Sequence, residues 1–188
     1  IYIWLKDNAN NVNYMNRGST TLYLDATAPG APTNVDDGVD GWSSDNTPTF
    51  TWDSVDDLSG IAGYWWRVDD GPETWTTERE ATTAALSDGA HTFYVKAQNG
   101  SGLVGPYGSH DCQIDATDPG APTGVTATPS GWTSINSFSV DWTNPADTSG
   151  IQGAYYKLDS VPTTDTDGTY TTSKPISGIT VSGDGAHP

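Results

Sequence analysis

A repeat governs what this chain can fold into. The run Asp25-Ala-Thr-Ala-Pro-Gly-Ala-Pro-Thr-Asn-Val35 returns as Asp115-Ala-Thr-Asp-Pro-Gly-Ala-Pro-Thr-Gly-Val125, 115 against 25, an offset of 90 residues. The offset runs backwards without a gap, laying Ile1-Tyr-Ile-Trp-Leu-Lys6 under His91-Thr-Phe-Tyr-Val-Lys96. It also runs forwards: Trp42, Trp52 and Ser59-Gly60-Ile61 fall on Trp132, Trp142 and Ser149-Gly150-Ile151. Asp184-Gly-Ala-His187 then repeats Asp88-Gly-Ala-His91 at an offset of 96 (187 against 91), which marks a six-residue insertion. A period of this length is a whole domain, and self-similarity at fixed period is the mark of an array. The expected division is 27–116 as a complete unit, 117–188 as a unit lacking its last two strands, and 1–26 as two strands of that missing kind. Residues 1–26 complete either their own 117–188, by circular permutation, or a neighbouring copy's, by strand complementation.

No window carries a helical period, whereas period-two alternation is plain. Pro48, Phe50 and Trp52 share one face with Thr49 and Thr51 on the other, and Phe138, Val140 and Trp142 repeat that face. Tyr64, Trp66 and Val68 are expected inside, as are Tyr156 and Leu158. Phe93 and Val95 point inward on a later strand, and by the repeat so do Ile3 and Leu5; Leu22 and Leu24 do the same on the last strand. Cys112 stands where the other copy has Leu22, so it is expected to fill an apolar strand position. The connectors Thr27-Ala-Pro29-Gly-Ala-Pro32 and Thr117-Asp-Pro119-Gly-Ala-Pro122 are short and stiff.

Together these residues resemble a known family. The Pro-x-x-Pro connector, the strand with Trp52, the Gly63-Tyr64 strand and Tyr94-x-Lys96-Ala97-x-Asn99-x-x-Gly102 look like a fibronectin type III domain. Ser-Gly-Ile-x-Gly, Asp-Gly-Ala-His and Lys6-Asp-Asn-Ala-Asn-Asn11 are similar to Ig-like repeats of large prokaryotic surface proteins. The resemblance implies an all-β fold: two Ig-like antiparallel β-sandwiches in tandem, one permuted or strand-complemented. It also implies spacer, adhesive or structural duty outside the cell.

The charge balance narrows the partners. With 7 Lys and Arg against 24 Asp and Glu, the net charge is −17, so nucleic acid and anionic membrane surfaces are not expected ligands. No apolar run is long enough to insert in a bilayer. Nothing in the chain has the spacing of a nucleophile elbow, a phosphate loop or a Cys/His metal site, so no enzyme activity is expected. His91 and His187 are one repeat position after a Gly turn, which suits a turn role better than catalysis.

Nearly all the acid is Asp, a residue of turns and of hard-cation loops. In an Ig-like sandwich the entering linker approaches the loop between the second and third strands and the last hairpin. That draws Asp25 toward Asp56, Asp57 and Asn99, and draws Asp115 and Asp118 toward Asp147 and toward Asp7 of the complementing segment. Two outcomes are open: calcium held by converging oxygens, or turns capped by Asp hydrogen bonds. Asp165-x-Asp167-Gly168 is a further fragment of a calcium loop.

The last constellation is aromatic. Trp65 and Tyr94 are expected to point outward on neighbouring strands with Arg67 and Lys96 on the same face, and Tyr155, Trp4, Lys157 and Lys6 repeat the set. Such a face is either a platform for glycans or lateral contacts, or a set of cross-strand pairs with basic stems over rings. The expected function is a structural repeat of an extracellular filament, sheath or stalk, its partners further copies of itself. The alternative is a carbohydrate-binding or adhesive module, or the spacer of a secreted glycan-active enzyme.

Overall fold

A computed structural model describes residues Ile1–Pro188, and all its regular structure is β. The chain forms two compact units. The first comprises residues 1–38, 48–83 and 91–111; the second comprises 39–47, 84–90 and 112–188.

In the first unit, β4 (Thr49–Thr51) pairs antiparallel with β7 (Glu80–Thr82), and Asp36 bridges Thr51 on the other side of β4. The second layer is built on β5 (Ile61–Val68), which pairs with β6 (Thr74–Thr76) on one edge and β8 (Gly89–Asn99) on the other. β9 (Val104–Ile114) lies beyond β8, giving the order β9-β8-β5-β6. The alternation read from the sequence puts aromatic rings between the layers. Phe50 stacks on Phe93 with centroids 4.2 Å apart, and Trp52 meets Tyr64 edge-on at 5.4 Å. Pro48, Phe50 and Trp52 are buried, while Thr49 and Thr51 are exposed.

The second unit repeats this plan in part. β10 (Thr123–Thr128), β11 (Phe138–Thr143) and β14 (Ile176–Ile179) form one antiparallel sheet, matching the strand at Asp36, β4 and β7. Thr126 pairs with Asp141 as Asp36 does with Thr51, 90 residues apart at both positions. β12 (Ala154–Tyr156) pairs with β13 (Thr169–Thr171) as β5 does with β6. β3 (Trp42–Ser43) runs parallel to the end of β9 in this unit. Ile176 and Ile179 are buried, at 7% and 9% exposure, and Phe138, Val140 and Trp142 are only half-buried.

Residues 1–26 depart from the inward pattern expected of them. β1 (Tyr2–Ile3) and β2 (Gly18–Ser19) pair into a two-stranded sheet of their own, extended by a bridge from Lys6 to Val12. Ile3 is 61%, Leu5 82%, Leu22 76% and Leu24 84% exposed. Their counterparts Phe93, Val95, Cys112 and Ile114 are 0%, 0%, 5% and 0% exposed. The side-chain pattern is the same; a two-stranded ribbon has no opposing layer of its own to cover it.

Candidate functional site: two linker clasps and an aromatic face

The turn Asp57-Leu-Ser-Gly60 follows the second strand of the first sandwich, and Gly60 (φ 76°) supplies the left-handed position that closes it. Asp57 Oδ1 accepts from the Ser59 N–H (3.1 Å) and hydroxyl (3.0 Å). Asp25, just before the connector that begins at Thr27, accepts from the same Ser59 N–H at 3.2 Å and from Asn99 Nδ2 at 3.1 Å. Hydrogen bonding from Ser59, then from the Thr27 N–H, holds Asp25 below the ordinary carboxylate range. The second unit repeats the contact of the linker Asp with the turn Ser. Ser149 N–H donates to Asp115 at 2.9 Å, its hydroxyl to Asp147 at 3.2 Å, and Gly150 has φ 86°. Ser149, by side chain and then backbone, likewise depresses Asp115.

Asp25 thus lies at the Asp57 turn and Asn99, and Asp115 at the Asp147 turn, whereas Asp118 and Asp7 are not brought to either. The chemistry is that of donors. Asn99 is buried, its Oδ1 taken by Leu103 N–H (2.8 Å) and the Ser101 hydroxyl (2.9 Å), and its Nδ2 shared between Asp25 and the Thr27 carbonyl. It turns a nitrogen, not an oxygen, toward Asp25, so in this arrangement it is not oriented as a cation ligand. Asp56 and Asp118 are exposed. Asp7 closes its own loop, accepting from Ala9 N–H (2.9 Å), Asn11 N–H (2.8 Å) and Asn11 Nδ2 (2.8 Å). Asp167 is held by Lys157 at 2.8 Å and by Thr163, and its carboxyl is lowered to about 2, chiefly by the lysine.

One acidic group escaped the sequence reasoning. Asp36, Asp37 and His110 bring one ligand atom each within 4.8 Å of one another, with His110 Nε2 3.4 Å from Asp37 and 3.8 Å from Asp36. The signal available was the Asp36-Asp37 doublet; the repeat masks it, because Thr126, Ala127 and Thr20 hold the equivalent positions.

On the outer face of β5 and β8, Trp65 pairs with Lys96 and Arg67 with Tyr94. Trp65 Nε1 donates to Gln98 at 2.9 Å and its ring meets Trp75 edge-on at 5.0 Å. Arg67 lies over Tyr94 at 4.3 Å and over Tyr107 at 5.4 Å. Lys96 is 2.5 Å from Glu73, which also accepts the Tyr107 hydroxyl. Glu73 is therefore depressed, by Lys96 first and Tyr107 second, and Lys96 is raised by Glu73. In the second unit Tyr155 pairs with Tyr170, rings 5.1 Å apart, and Lys157 is bonded to Asp167. Trp4 and Lys6 belong to the first unit and are exposed.

No family model matches the chain, and no curated protein does. Among solved structures, chitinase ChiA74 from Bacillus thuringiensis is similar with a TM-score of 0.44 and 17% identity, over 85% of this chain and 26% of its own. A central fibronectin-III array of RIM-binding protein is similar with a TM-score of 0.38 and 16% identity, over 83% of this chain and 60% of its own. The chain therefore spans less than two thirds of either. What decides the fold class is the strand order of the first unit, β4 with β7 and the Asp36 strand against β9-β8-β5-β6. It is a fibronectin type III-like sandwich. The clasps tie each Pro-rich connector to the fibronectin type III-like unit it enters, and the aromatic face lies on that unit's four-stranded layer.

Proposed function

We propose that this chain is a structural repeat of an extracellular filament, sheath or cell-surface stalk, whose sandwiches follow one another head to tail. The observation that carries the reading is the doubled clasp. Asp25 on Ser59 and Asp115 on Ser149 hold the incoming connector by the same atoms at both positions. A catalytic or ligand site has no need to recur at each linker, whereas a joint in an array does. Short Pro-rich connectors pinned in this way make stiff joints, and the net charge of −17 keeps long polymers soluble. Immunogold labelling of intact cells with antibody against residues 27–116 tests the proposal. Label along extended surface structures is the expected result; label confined to the cell interior sinks it.

The second reading, a glycan-binding or adhesive module, is favoured by one observation: Trp75 and Tyr107 remain 39% and 38% exposed beside the Trp65 and Tyr94 rings. Trp75→Ala with Tyr107→Ala abolishes retention on a polysaccharide column under that reading. Under the structural reading there is no retention to lose.

A further inference from the structure

We infer that Asp36, Asp37 and His110 hold a divalent transition-metal ion of the zinc class, which staples the entering strand of the first unit to β9. All three residues belong to that one compact unit. Asp36 and Asp37 follow the connector on the segment that bridges β4. There the Asp36 N–H donates to the Thr51 carbonyl (3.0 Å) and the Thr51 N–H donates back (2.9 Å). His110 lies on β9, two residues before the buried Cys112 and so on the same face, and its ring meets Phe50 edge-on at 6.0 Å. β9 runs directly against the entering chain: a Cβ on Gly108 would run into the Pro32 carbonyl and lie 3.2 Å from Val35 Cγ2. The donors therefore stand on fixed backbone, the condition for a site formed before its ligand arrives.

The spacing is that of ligands around an ion. His91 and His187 each sit 2.7 Å from one aspartate, a direct hydrogen bond. His110 Nε2 instead faces two aspartates, at 3.4 Å from Asp37 and 3.8 Å from Asp36, beyond the roughly 2.7–3.2 Å of an N–H···O bond. About 3.4 Å is the edge of a tetrahedron whose centre lies about 2.0–2.2 Å from nitrogen and oxygen corners. The Asp37 side chain is 2% exposed, and buried carboxylates are paired or bind metal. Asp36 is 60% and His110 27% exposed, so the site opens to solvent on the Asp36 side. An ion enters there, and a water completes its fourth position.

The donor set names the ion. Imidazole nitrogen with two carboxylates suits zinc and its neighbours, whereas calcium and magnesium take oxygen ligands. The repeat confines the site to the first unit, because Thr126 and Ala127 stand where Asp36 and Asp37 do. The ion joins the segment by which the chain enters that sandwich to the strand by which it leaves, and so resists their separation. The site stands whether or not the units form an array.

Equilibrium dialysis of the full chain against zinc, with excess magnesium to occupy surface acids, tests the site. One tightly held zinc per chain is expected. His110→Gln and, separately, Asp36→Asn are each expected to weaken uptake at least about ten-fold, no less than the loss of a supporting partner does. His91→Gln is expected to leave it unchanged. Zinc should raise the melting temperature of the unmodified chain and of neither ligand variant. Asp36 is exposed and Asn keeps an acceptor for the Gly38 N–H, so that variant carries the test if His110→Gln does not fold. Zinc uptake that excess magnesium abolishes, uptake that Asp36→Asn leaves intact, or a melting temperature that saturating zinc does not move overturns the staple.

Discussion

Asn99 shows how much of the clasp hangs on one side chain. Its four hydrogen bonds tie Asp25, Thr27, Ser101 and Leu103 together in a buried site. Asn99→Leu leaves the Leu103 N–H without its partner and the Thr27 carbonyl without its donor, so chemical denaturation is expected to show a loss of about 1–3 kcal/mol. Asp167 gives a pH test. Its folded value of about 2 lies below the ordinary 3.8, so the Lys157 and Thr163 contacts favour the folded state fully above the latter. That contribution is lost as pH falls through the folded value. Thermal melts of the chain and of Asp167→Asn are expected to differ at neutral pH and to converge between pH 3.8 and about 2. A difference that persists at the acid end would assign the effect to something other than the carboxylate charge. Asp25 approaching the Asp57 turn and Asn99 was legible because the connector repeats and an Ig-like linker enters beside those loops; the Ser59 donor was not. The Asp36, Asp37 and His110 group was not, because none of the three is duplicated and strand neighbours distant in sequence leave no local trace.

Among the elements, β5 with β6 and β12 with β13 share a device that combines a glycine with a ring. A Cβ on Gly63 would lie 2.6 Å from the Thr76 carbonyl and run into the Trp75 ring; one on Gly153 would lie 2.6 Å from the Thr171 carbonyl and from the Tyr170 hydroxyl. The glycines therefore make room for the cross-strand rings that cover them. Gly63→Ala is expected to cost about 1–3 kcal/mol in denaturant unfolding, the usual range for overpacking. Gly63→Ala combined with Trp75→Ala should recover part of that loss, and full additivity would separate the glycine from the ring. Period-two patterning made β4, β5, β8 and β11 readable before any coordinates, since each has one apolar face. Trp75 and Tyr170 were not readable as partners, because the inserted residues shift the repeat between 158 and 187 and their strands are three residues long. The exposure of Ile3, Leu5, Leu22 and Leu24 was also beyond patterning. A period-two face says which side is apolar and is silent on what covers it.

At the scale of the molecule, charge acts on everything at once. A net charge of −17, with acids concentrated in turns and connectors, makes the folded chain repel itself. Salt shortens the range of that repulsion to about 10 Å at 0.1 M. Raising sodium chloride from roughly 0.01 M, where that range is about 30 Å, to 0.1 M is therefore expected to raise the melting temperature. The ion pairs run the other way, since Arg67 with Asp70, Lys96 with Glu73 and Lys157 with Asp167 weaken under screening, but three such bridges stand against the mutual repulsion of 24 acids. A melting temperature that falls with salt would mean that these bridges outweigh the global charge. The same titration with calcium and magnesium at matched ionic strength separates screening from binding. Screening moves both curves together. A calcium-specific increment that Asp25→Asn and Asp115→Asn remove would instead mean that a cation displaces the Ser59 and Ser149 donors from the clasps. The two clasps would then act as cation-dependent joints, and an array built on them would stiffen or loosen with the calcium around it.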